Sequence, residues 1–172
     1  MGSGTSGLYV GTYGANDLTK GKKTKENPSK EAMHQSINQW AISEKNKLSK
    51  TQQNKFNTAC IACDCVTGNQ YYGRNNGIKI SGDEKNPILF GENDKGGILP
   101  TTSLNHLEVG RCAEVDVVNK ALNSGAKLEN LYMLTIHTRS DMFGELKKAC
   151  ENCTYAFKDK IKENYAGWSM ED

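Results

Sequence analysis

Residues 128–138 read LENLYMLTIHT. The run is apolar on both faces, the pattern of a central strand covered by helices rather than of a half-exposed edge strand. Residues 111–122 before it, RCAEVDVVNKAL, change to a helical period. Ala113, Val117 and Ala121 fall on one face with Val118 beside them, and Gly125 supplies a C-terminal stop. After the strand, residues 150–165, CENCTYAFKDKIKENY, read as another helix with Tyr155, Phe157 and Ile161 available for packing. Helix, buried strand and helix in succession predict an α/β fold.

Working upstream, residues 58–66 and 70–74 are β-leaning runs on either side of Thr67-Gly68-Asn69, which predicts a hairpin. Residues 27–49 carry Met33, Ile37, Trp40, Ala41 and Leu48 on one face of an amphipathic helix, with Asn27 as its cap and Pro28 at its first position. Ser49 caps a further short turn through Phe56. Residues 77–110 are glycine-rich and weakly patterned, a long insertion of the kind that forms an active-site loop or pairs with itself. Residues 1–26 read as a flexible lead-in or an edge segment, and the opening MGSG as a cloning remnant ahead of a domain cut from something longer. The order of elements predicts a three-layer α/β/α sandwich over residues 27–172, with residues 77–110 as an insertion.

A chain of 172 residues is long enough to bury a core without disulfides. Its net charge of +2 does not by itself establish a nucleic-acid partner. The charge is uneven, however: residues 20–55 hold nine lysines against Glu26, Glu31 and Glu44. That segment is either a solvated helix face or a surface for phosphates. No stretch reaches the ~18 apolar residues of a membrane span, and no signal peptide is present.

Six cysteines are too few for a disulfide scaffold at this length. Two Cys-x-x-Cys pairs, Cys60/Cys63 and Cys150/Cys153, point to metal or redox chemistry. Joining the two pairs is opposed by the strand at 58–66, on which residues three apart face opposite ways; Cys60, Cys63 and Cys65 read as core cysteines. The other arrangement takes Cys112, Cys150 and Cys153, each in the first turn of a predicted helix, where N–H groups and the dipole favour thiolate. Three ligands leave the fourth position of a zinc ion open, and Glu114 then stands beside it as a carboxylate able to move protons.

Cys112-Ala113-Glu114, the intervening strand and Cys150-Glu151-Asn152-Cys153 resemble the signature of the zinc-dependent cytidine deaminase superfamily, His-or-Cys-x-Glu followed by Pro-Cys-x-x-Cys. The resemblance spans the chain from the hairpin onward and is strongest to the YwqJ-type branch of bacterial polymorphic-toxin deaminases. The family's proline before the first cysteine of the pair is Ala149 here, and residues 164–172 leave room for one short strand where the family has two. The resemblance implies a deaminase-like sandwich with a mixed sheet and abbreviated C-terminal strands. It implies Zn²⁺ held by Cys112, Cys150 and Cys153, Glu114 as the catalytic acid-base, and hydrolytic conversion of cytosine to uracil in nucleic acid, with DNA favoured. A monomeric toxin domain, delivered into a recipient cell and neutralised by an immunity protein, follows from the same likeness.

Candidate substrate contacts are Asn75 and Asn76, which match an Arg-Asn pair at the corresponding strand end in nucleic-acid deaminases, together with Ala113, His106 and Tyr72. Asn-Asn-Gly is equally ordinary turn chemistry. Tyr71 and Tyr72 alternate faces, so one at most can stack on a base. His137 ends the central strand, facing either the zinc or the sheet's edge. Alternatives are a deaminase of RNA, of adenine or of a free nucleoside, and a non-catalytic structural zinc module.

Overall fold

The computed structural model describes residues 27–169, so the predicted lead-in at 1–26 lies outside the described residues. Helix α1 (Lys30–Asn46) begins at Ser29, whose side chain accepts from Ala32 N at 3.1 Å. The cap is therefore Ser29 and not Asn27. Tyr165 donates its hydroxyl proton to the Pro28 carbonyl, which holds the proline outside the helix. A capping box of Ser49 and Gln52 starts α2 (Lys50–Asn54).

Strand β1 (Thr58–Asp64) and β2 (Gln70–Arg74) form the expected antiparallel hairpin, with Cys63 opposite Gln70. Asp64 Oδ1 closes the connection by accepting from Val66 N and Thr67 N. Residues 77–110 fold as α3 (Gly77–Ser81), α4 (Pro87–Phe90) and a small pair, β3 (Gly91–Glu92) with β4 (Lys95–Gly96). Ile78, Leu89 and Leu99 anchor this insertion in the core. Helix α5 (Ala113–Asn123) leads to β5 (Leu131–His137), which runs antiparallel to β1 with His137 opposite Thr58. After α6 (Glu151–Phe157) the two-residue β6 (Glu163–Asn164) pairs parallel to β5. The result is a mixed sheet in the order β2-β1-β5-β6.

Alternation along β1 and β5 divides the core. Ala59, Ile61, Cys63, Tyr132, Leu134 and Ile136 pack against Met33, Ile37 and Ala41 of α1. Cys60, Ala62, Leu131 and Met133 pack on the opposite face with Val117 and Ala121 of α5 and with Ala156 and Phe157 of α6. Each fully buried Ile, Leu or Phe stabilises the fold by roughly 1.5–3 kcal/mol. Gly73 lets α5 lie close on β2, since a Cβ there would stand 2.7 Å from Val117 N.

The last helix is shorter than its sequence suggests: it ends at Phe157, and Tyr155 is exposed. The chain turns back because Ile161 is drawn into the core and Asn164 is buried with its side chain bonded to Ala166 N and Gly167 O. Lys162 N and Tyr165 N donate to Leu131 O and Met133 O, completing the short parallel pairing. No helix among the described residues is long and apolar enough to cross a membrane.

Candidate metal centre and its pocket

Helices α5 and α6 both begin at the sheet end where β5 finishes with His137. Cys112 and Cys150 are their N-cap residues, in extended backbone, and neither thiol caps its own helix. Cys153 follows in the first turn of α6 and is fully buried. The three Sγ atoms lie within 4.8 Å of one another, and no other His, Cys, Asp or Glu among the described residues joins the group. Cys112 and Cys150 sulfurs are 3.1 Å apart, well beyond the ~2.05 Å of a disulfide. Cys63 faces α1 across the sheet, so a four-cysteine site with Cys60 and Cys63 does not form.

The thiols are arranged around one negative charge. Cys150 is held far below the ordinary thiol range by hydrogen bonds from the Cys112 and Cys153 thiols and from the N–H groups of Cys153 and Asn152. Cys112 is pushed up first by donating to Cys150, and Cys153 first by donating to Cys112 and then to Cys150. A cation replacing the thiol protons would satisfy all three sulfurs at once.

Glu114 stands in the first turn of α5 and is 3% exposed. Thr135 Oγ1, from the interior of β5, donates to its Oε2 at 3.0 Å. Burial raises the Glu114 pKa, and the Lys147 charge works against that rise. Burial thus makes the carboxyl a better proton acceptor than an exposed glutamate.

Cys112 and Glu114 line a cavity of about 280 Å³, near the lower end of small-molecule sites. Asn57, Thr58 and Asn75 form one wall, Leu107 another, and Arg111, Arg139 and Lys147 make the rim basic. His137 also faces this space, with its pKa lowered first by burial and then by Lys147. Buried Asn152 organises the mouth: its Oδ1 accepts from Leu104 N at 2.8 Å, and its Nδ2 donates to Ser103 Oγ and Asn105 Oδ1. The residues between the two cysteines of α6 therefore hold the loop that carries Leu107.

The predicted contact residues divide. Asn75 lines the pocket, but its carboxamide is spent on the backbone of residues 55–58. Asn76 is not on the pocket wall; it takes a left-handed conformation (φ 60°), and its Oδ1 accepts from Arg111 Nε at 2.9 Å, steadying that rim arginine. Ala113 is buried in the α5-side core, and His106 is exposed on the loop beside Leu107. Tyr72 is on the wrong side of the sheet for base stacking: it stacks on Trp40 of α1 at 5.5 Å and donates to Gln70. The strand's two-residue period sends it there. Missed by the sequence reading were Thr135, the polar residue inside an apolar strand, and the cations Arg111, Arg139 and Lys147.

No protein-family model matches the chain, and no curated protein or solved structure matches it.

Proposed function

We propose that this chain is a zinc-dependent hydrolytic deaminase that converts cytosine to uracil in nucleic acid, with the fold of the cytidine deaminase superfamily. The observation that carries the reading is the meeting of Cys112, Cys150 and Cys153 beside the buried carboxyl of Glu114 at one pocket. An antiparallel hairpin, a central strand, a parallel fourth strand and two helices with thiols in their first turns support the same fold.

The donor set fits zinc. Thiolates select soft or borderline ions over magnesium or calcium. Sulfurs bound at about 2.3 Å around a tetrahedral ion stand ~3.8 Å apart, within the span of the three Sγ atoms. A zinc ion held there by three ligands supplies Lewis acidity that makes a water nucleophilic near neutral pH.

The chain's own residues then move the protons. Glu114 takes one from the attacking water and delivers it to N3 of the cytosine ring as water adds at C4; it then moves the proton of the new C4 hydroxyl to the amino group, so that the C4–N4 bond breaks, ammonia leaves and C4 becomes a carbonyl. Thr135 fixes the carboxylate for both transfers. Arg111, Arg139 and Lys147 give the mouth the charge expected for a phosphate-bearing substrate. A delivered toxin domain checked by an immunity protein is the biological setting that this chemistry suits.

Incubating zinc-loaded protein with cytosine-containing oligonucleotides and scoring uracil tests the reading. Wild type converts cytosine, while Glu114→Gln retains zinc and converts none; equal conversion by the two proteins contradicts the role given to Glu114.

A further inference from the structure

Next to the base-sized pocket a second cavity of about 560 Å³ opens between α1, α2 and the segment after β5. Lys45 of α1, Lys50 of α2 and Arg139 line it, and Asp141 is the one acidic residue on its wall. Three cations against one carboxylate leave an excess of two positive charges. Asn57 and Arg139 line both cavities, so the two adjoin with Arg139 between them.

The cations are held by different means. Lys45 donates its ammonium proton to the Thr138 carbonyl and stands 5.9 Å from the ring centroids of Phe56 and Phe143. Behind this wall the Arg74 guanidinium lies 4.3 Å over the Phe56 ring. Arg139 pairs with Asp141 at 3.1 Å, but both side chains are about 60% exposed (60% and 63%), so the pair is weak and gives way readily to a phosphate. Lys50 is exposed at the start of α2 and lines the cleft.

A nucleoside would fill the smaller cavity and leave the larger one, with its own excess of two positive charges, unused. We infer that the Lys45–Lys50–Arg139 cleft carries the phosphodiester backbone beside the target base, so that the substrate is a polynucleotide rather than a free nucleoside. The inference rests on the pocket at Glu114 being the place where a base reacts. Phosphate tracking by lysine and arginine makes binding steeply salt-dependent, with a slope of roughly 0.7 per contact for a single strand.

The test measures fluorescence anisotropy of labelled 15-nucleotide single strands, DNA and RNA of one sequence, against the zinc-loaded full chain from 50 to 300 mM NaCl. Lys50→Glu makes the salt slope shallower by about 0.7, so its deficit against wild type is about 3.5-fold larger at 50 mM than at 300 mM salt. Lys127→Glu, an exposed position preceding the opposite end of β5, binds as wild type. Whichever polymer shows the Lys50 dependence identifies the backbone the cleft accepts. Equal affinities and slopes for Lys50→Glu and Lys127→Glu overturn the inference. Uracil is scored in the same samples. Lys50-dependent binding without uracil removes the catalytic reading and leaves the cleft; uracil with Lys50-independent binding does the reverse.

Discussion

Asn75→Ala separates a side chain spent on the fold from one spent on substrate. In the native chain Asn75 Oδ1 accepts from Asn57 N at 3.0 Å and Thr58 N at 3.2 Å, and Nδ2 donates to Lys55 O at 2.8 Å. Alanine removes all three bonds. Thr58 is buried, so its N–H is left without a partner, at a cost of about 1–3 kcal/mol. Asn57 and Lys55 are exposed and regain water, so each lost bond there costs about 0.5 kcal/mol. The sum is about 3 kcal/mol, or about 9 °C in Tm for a chain of this length at ~3 °C per kcal/mol. Asn75→Asp keeps both acceptor bonds and forfeits only the Lys55 bond, so its Tm falls about a sixth as far. Thermal unfolding followed by circular dichroism gives both values. An Asn75→Ala protein melting within about 2 °C of wild type refutes the reasoning and returns Asn75 to the role of a substrate contact.

Three further outcomes follow from the packing and the titrating groups. Gly73→Ala drives a Cβ to 2.7 Å from Val117 N and 2.9 Å from Asp116 Oδ2; the helix backbone cannot rotate away, so urea unfolding shows a loss of about 1–3 kcal/mol, and an unchanged midpoint contradicts the close approach of α5 to β2. With metal bound, a thiol reagent modifies half-buried Cys65 and spares Cys60 and Cys63, the latter pushed up to about 12 mainly by burial; mass spectrometry showing Cys63 modified in the native protein contradicts that burial. His137 titrates below the ordinary histidine value of about 6.5, because burial and then Lys147 disfavour its charged form. Its contribution to stability is therefore constant above the unfolded value and declines as pH falls below it, ending once the lower folded value is passed. A proton NMR titration giving His137 an ordinary or raised midpoint contradicts this.

Much of the fold is legible in the sequence because its periods are unmixed. The run at 131–136 is apolar on both faces since helices cover both, and the Met33-Ile37-Ala41 stripe marks the face of α1 that meets it. Cys112, Cys150 and Cys153 can be paired from sequence because one strand separates two helix starts, which brings their first turns to the same sheet end. Side-chain direction is harder to read. Tyr72 was a candidate for base stacking, but its neighbour Gly73 meets α5, and the two-residue period therefore turns Tyr72 toward Trp40. The end of α6 was misplaced because Tyr155, Phe157 and Ile161 look like one helical stripe, whereas Ile161 is buried from a turn beyond the helix. Arg111 comes from the loop before α5, and Arg139 and Lys147 from the β5–α6 connection, and no local pattern announces such a meeting.

Cys112, Cys150 and Cys153 are proposed as an open three-thiolate metal centre. Zinc K-edge X-ray absorption on the metal-loaded chain tests it most directly. The expected spectrum shows one zinc per chain with three sulfurs at about 2.3 Å and one lighter oxygen or nitrogen neighbour, and Cys150→Ser loses stoichiometric zinc. Four sulfur neighbours, or zinc retained in full by Cys150→Ser, would contradict it.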